Sequence, residues 1–179
     1  MKKHILKAFS LFILSASTVY AGNLYLGPAL FLQDNTTTYS NYRGLHPRLS
    51  VGYAEMFEDF YLAIEGFGVP VTGTITDNHN NGLSASARST RSFGGSILPG
   101  ALITENVLAY ARIGVVNTLF PSPNTSRAGG QVGLGLQSSL TTHWDMRVEY
   151  IFTAYKTVPT LGSVKSDQVG VGLVYKVLS

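Results

Sequence analysis

The sequence contains no cysteine, which excludes disulfides, thiolate metal sites and cysteine nucleophiles. Charge is scarce too. Asp, Glu, Lys and Arg make up 13% of the 179 residues, about half the usual share. Helical patterning is also missing. Beyond Gly22 no window shows a convincing helical pattern of apolar residues at i, i+3, i+4 and i+7, and no apolar run reaches the length of a spanning helix.

The small excess of positive charge sits at the N-terminus. "MKKHILK" is a basic segment, "AFSLFILSAS" an apolar one, and "TVYA" ends in a small residue. This is the pattern of a secretory signal, residues 1–21, cleaved after Ala21. Lys2, Lys3 and Lys7 leave with it, so 13 Lys+Arg become 10, against 10 Asp+Glu. A mature chain of formal net charge zero offers no basic surface, and nucleic acid is not an expected partner.

What remains, residues 22–179, is dominated by alternation with period two, punctuated by Gly, Pro, Asn and Asp. Segments fall at about 23–33, 42–54, 60–69, 84–98, 106–117, 127–140, 144–156 and 168–178. No composition break divides them, so they are read as one all-β domain. Polar connections ("DNTTTYSN", "PVTGTITDNHNNG", "FPSPNTS", "TVPTLGSVKSD") alternate with tighter ones ("EMFED", "PGALITE", "TTHW"). Eight strands with long loops at one end and short turns at the other fit an antiparallel up-and-down transmembrane β-barrel. Both chain ends then lie on the short-turn, periplasmic side.

Residue size assigns the faces. Val132, Leu134 and Leu136 oppose Gly133, Gly135, Gln137 and Ser139. Likewise Val169, Val171, Leu173, Tyr175 and Val177 oppose a face containing Gly170 and Gly172. The interior of an eight-stranded barrel is only wide enough to be filled by side chains, so the small face is expected inside and the bulky face against lipid. That register turns Arg48, Glu65, Arg112, Arg147, Glu149 and Lys176 inward, where opposite charges on neighbouring strands can pair. Arg112 and Glu65 are the expected partners of Arg147 and Glu149. Tyr25, Phe31, Tyr61 and Tyr110 share the inner face, which favours a plug over a channel. Met146, Val148, Tyr150 and Phe152 face out. Tyr53, Phe60, Trp144 and Tyr175 share the outward parity near the short turns and form an expected periplasmic aromatic girdle. Pro28 and Pro47 lack the donor that a closed ladder requires, and bulges are expected there.

These residues resemble a known family. "GQVGLGLQSSLTTHWDMRVEYIF" (130–152) is similar to the penultimate hairpin of OmpA/OmpX-type barrels, with its Gly-rich strand, Leu-Thr turn and Arg-x-Glu-Tyr strand. "GALITENVLAYARIG" (100–114) resembles the preceding turn and strand, and "NLYLGPALF" the opening strand. The resemblance implies an eight-stranded barrel in the outer membrane of a Gram-negative bacterium, with a plugged lumen. It also implies contact with outer-membrane lipid and handling by the barrel assembly machinery. One departure is the ending "VYKVLS", which lacks the customary terminal aromatic; Val177 takes the alternating position. No peptidoglycan-binding domain follows, so an anchoring role is not carried over.

Catalytic constellations are thin. A lipid-modifying barrel enzyme would need Ser, His and a carboxylate in mutual reach. His143 lies in a short turn, His79 in the polar loop "TDNHNNG", and His46 inward near Arg48 as a lumen hydrogen-bonding group. There is no nucleophile elbow, metal-spaced histidine cluster or phosphate-cradling loop. No catalytic residue, metal ligand or cofactor site is therefore assigned. Arg88 and Arg91, near the long-loop end, are candidate contacts for lipopolysaccharide phosphates. An extracellular ligand held by the loops has no specific residue to support it. The reading is a structural or surface-interacting outer-membrane barrel. A narrow porin-like channel for small solutes is the alternative, ahead of a lipid-modifying enzyme or a soluble ligand-binding barrel.

Overall fold

A computed structural model describes residues 23–37, 40–79, 89, 91–121, 124–157 and 162–177. The signal-sequence reading falls outside them. Alternating residues build nine strands in chain order: β1 (Asn23–Thr36), β2 (Ser40–Phe57), β3 (Phe60–Val69), β4 (Gly73–His79), β5 (Arg91–Thr104), β6 (Val107–Phe120), β7 (Thr125–Ser139), β8 (Trp144–Tyr155) and β9 (Lys165–Lys176). All pairings are antiparallel, and β1 pairs with both β2 and β9. The sheet is thus an eight-position closed barrel. β3 and β4 share one position: β3 pairs with the lower part of β2 and β4 with its upper part. Among the described residues, no helix is long and apolar enough to cross a membrane, and crossing falls to the strands.

Pleating turns alternate residues inward, as strict alternation of burial along β2 and β8 shows. Outside lies an apolar belt. On β1 its outward residues run from Leu24 to Leu32, on β2 from Leu45 to Tyr53, and on β8 from Trp144 to Phe152. Each stretch is nine residues, the length that a tilted strand needs to cross the hydrocarbon core, about 9–11. The strands continue past the belt, and its upper limit is marked by polar groups on the outer face. Arg43 pairs with Asp34 at 2.9 Å, and Asp167, directly opposite Asp34, accepts a hydrogen bond from the Tyr150 hydroxyl.

Inside, glycine makes room for rings. A Cβ at Gly135 would stand 2.2 Å from Tyr110 Cζ, and one at Gly170 would stand 2.4 Å from Phe31. Large inner side chains can therefore fill a narrow tube at interior packing density. Two apolar clusters form: one around Tyr25, Tyr61, Leu98 and Tyr110 toward the short turns, the other around Phe67, Phe120 and Tyr155 toward the opposite end.

Several sequence expectations are corrected. No bulge marks Pro28 or Pro47: the β1–β2 register is unbroken from Asn23↔Ala54 to Thr36↔Asn41. Pro28 instead faces a gap in the β1–β9 ladder, which resumes in the same register at Ala29↔Gly172. Pro47 lies where β2 passes from β3 to β4, opposite the break that contains Pro70. The missing donors thus fall where no ladder bond is required of them. Bulges occur at Arg43/Gly44 and at Leu102/Thr104.

The dipeptide Pro99-Gly100, expected in a turn, is inside β5, and the chain reverses at Glu105 and Asn106. Pro99 is accommodated like Pro28, with the β5–β6 ladder passing from Ile97↔Ile113 to Gly100↔Tyr110 without changing register. The connection "DNTTTYSN" is largely strand, because β1 and β2 extend to Thr36 and Ser40; Thr37 Oγ1 donates to the Ser40 carbonyl at 3.0 Å. "FPSPNTS" is also shorter as a loop than expected, since β6 runs to Phe120 and β7 begins at Thr125.

Candidate functional site

The polar residues of the inner face meet at mid-lumen. Arg112, from β6, donates through Nη2 to Glu65 Oε1 on β3 and Glu149 Oε1 on β8, both at 2.7 Å, and through Nε to Glu149 at 3.0 Å. Arg147, on β8 beside Glu149, donates through Nη1 to Glu65 Oε2 at 2.6 Å. All four are buried, none more than 5% exposed. Tyrosines complete the carboxylates' coordination: Tyr25 donates to Glu65 at 2.9 Å and Tyr110 to Glu149 at 2.8 Å. The Arg147 guanidinium also lies 5.3 Å from the centre of each of those two rings. Two cations, two anions and two hydroxyls are thus tied together in a neutral cluster. Such closure is what offsets the desolvation of buried charge.

Toward the short turns the network continues. Arg147 donates to Gln137 Oε1 through Nε and Nη2, Gln137 donates to Asp145 at 2.7 Å, and Ser139 donates to the same carboxylate. Lys176 pairs with Asp145 at 3.0 Å. A vestibule of about 260 Å³ opens here, lined by Met56, Tyr61, Leu102, Asp145 and Lys176, and Tyr25 and Gln137 also line it. Lys176 therefore reaches the central cluster only through Asp145 and Gln137, with no direct contact to it. Asp145, its partner, was missed in the sequence reading. Its inward parity with Arg147 was the available signal, but its place beside the turn concealed it.

Arg48 is the other departure. It is inward and buried but, among the described residues, holds no carboxylate. Phe31 and Phe67 flank it, each ring centre 4.4 Å from its Cζ, and Nη2 donates to Gln168 at 3.0 Å. His46 stacks on Phe31, ring centres 5.6 Å apart and planes within 8°. Neither of its ring nitrogens has a hydrogen-bond partner among the described residues, so the hydrogen-bonding role expected of it is not found and stacking takes its place.

The girdle residues all lie on the outer face toward the short turns. Trp144 packs on Tyr175 with ring centres 4.9 Å apart, while Tyr53 and Phe60 are exposed. Phe57, paired with Phe60 across the β2–β3 turn, is a further member. His143 in the adjoining turn stacks on Tyr175 at 6.3 Å. Arg91 is exposed at the start of β5, at the opposite end of the barrel. Arg88 lies outside the described residues. His79 closes β4, and its side chain is likewise undescribed. Among the described residues, no group of three or more His, Asp or Glu is arranged to hold a metal ion.

Comparison with known proteins gives the same architecture. The sequence profile of the outer membrane protein beta-barrel domain family matches residues 5–176. Neisserial surface protein A is similar in structure, with a TM-score of 0.56 and 17% identity over 86% of this chain and 96% of that one. Ail, the attachment invasion locus protein of Yersinia pestis, has a TM-score of 0.55 and 16% identity over 88% and 99%. No curated protein sequence matches the chain. At these identities the structural likeness speaks for the fold alone.

Proposed function

The chain belongs to the family of outer membrane protein beta-barrel domains, and on that footing we propose that it is a plugged, non-catalytic barrel acting through its outward and extracellular surfaces. The observation that carries the reading is the pair Arg147–Glu65. It joins β8 to β3, which stand four positions apart whichever way the barrel is followed, β3–β5–β6–β7–β8 or β3–β2–β1–β9–β8. A side-chain bridge between opposite walls supports a plug over an open axial path for a solute. Export through the cleaved signal, with mature residues beginning at Gly22, and delivery by the barrel assembly machinery belong to the same reading. So does contact of Arg91 with lipopolysaccharide phosphates, to be tested by lipopolysaccharide binding of the Arg91→Ala variant. The porin-like alternative has no observation in its favour.

Planar-bilayer recording of the refolded mature chain is the test. Silence at moderate voltage is expected, and sustained solute-dependent current would overturn the plug.

A further inference from the structure

The buried ion pairs of the lumen balance among the described residues. Arg112, Arg147 and Lys176 are matched by Glu65, Glu149 and Asp145. Arg48 is left without a counter-charge. It is 4% exposed, and two of its nitrogens, Nε and Nη1, find no acceptor among the described residues. Arg112 Nη1 is another buried donor without an acceptor, and Ser96 Oγ is unpartnered as well. Across the lumen Arg48 feels the positive charge of Arg112 and, acting the other way, the negative charges of Glu149 and Glu65, but none of these groups contacts it.

The surroundings narrow what can answer this. Phe31 and Phe67 offer Arg48 their π-faces, but a ring quadrupole replaces only part of a guanidinium's lost hydration. The remaining N–H groups still require acceptors. Water would supply an acceptor and leave the charge uncompensated in a low-dielectric tube. A phosphate would bring more charge than one guanidinium balances, and more bulk than a site between two packed rings suits. A small, singly charged acceptor meets both requirements.

We propose that the lumen binds a halide-sized monovalent anion, chloride in chloride media, anchored on the free N–H groups of Arg48. The anion is a structural counter-ion within the plug and neutralises the one lumenal cation left without an ion-pair partner among the described residues. Because it binds the folded barrel alone, it raises the unfolding midpoint by mass action.

The test compares thermal unfolding of the detergent-refolded barrel in sodium chloride, bromide and gluconate at equal ionic strength. Chloride and bromide are expected to raise the midpoint above that in gluconate. The difference should vanish in Arg48→Gln and persist in Arg43→Gln, which alters an exposed arginine on the outer face. An equal midpoint in all three salts for the unaltered chain, or an undiminished halide effect in Arg48→Gln, would overturn the proposal. If Arg48→Gln does not fold, anomalous diffraction from the unaltered barrel crystallised in bromide decides. A bromide peak within hydrogen-bond distance of Arg48 is expected, and its absence overturns the site.

Discussion

Arg147 and Glu65 meet at 2.6 Å although 82 residues separate them in sequence and the full width of the lumen separates their strands. The contact joins opposite walls of the tube. Arg112 connects the same glutamate to Glu149, so Glu65 is where two guanidiniums converge.

Glu65→Gln leaves Arg147 and Arg112 each short of a buried charge partner. Breaking a buried pair by removing one side costs roughly 3–5 kcal/mol. The expected result is a lower urea midpoint for the refolded barrel in lipid vesicles, followed by the fluorescence of Trp144, the only tryptophan. The double variant Glu65→Leu/Arg147→Met, in which this pair is replaced by apolar groups, is expected to lose less than the sum of its single variants.

Two glycines of β7 separate packing from propensity. A Cβ at Gly135 collides with the Tyr110 ring, which donates to Glu149, so Gly135→Ala should cost about 1–3 kcal/mol, the usual penalty of overpacking. Gly130 faces outward with nothing within 4 Å of an added Cβ. Gly130→Ala should be neutral or stabilise by about 0.4–1 kcal/mol through the unfolded chain. Equal losses at both positions in the urea assay would contradict the packing account.

Leu134 is 68% exposed in the middle of the outer belt. An arginine there meets hydrocarbon and should lower stability by roughly 2–4 kcal/mol, whereas an arginine at Tyr53, at the belt's edge, should cost about 0–1 kcal/mol. Folding titrations of both variants in vesicles check the gradient. Indistinguishable costs would mean that the belt is misplaced.

Trp144, packed on Tyr175, sets the depth of the short-turn end. Its emission should be quenched more by lipids brominated near the headgroup than by lipids brominated near the chain ends. The reverse order would remove the girdle from the interface.

Sidedness was legible because it depends only on parity within a strand. Arg147, Glu149, Arg112 and Glu65 fall inward in the sequence as they do in the structure. Height along the barrel axis was not legible. It depends on the stagger accumulated across the strands, which no single segment encodes, and so Arg48 was grouped with a cluster it does not contact, and Lys176 with one it reaches only through Asp145 and Gln137. Pro99-Gly100 misled for another reason. A Pro-Gly pair is strong turn punctuation, yet here Pro99 faces outward beside a local ladder gap and β5 runs on to Thr104.

The break between β3 and β4, with Pro47 set opposite the segment containing Pro70, has a mechanical consequence. It acts as an expansion joint between the membrane-embedded cylinder and the crown formed by β4 and upper β2. The crown's register to β2 shifts at the Arg43/Gly44 bulge, while the β2–β3 pairing below the joint keeps a constant register. On the β3/β4 side of β2, an insertion or deletion above the joint need not shift the β2–β3 register below it, while β1 ties the two parts together on the other side.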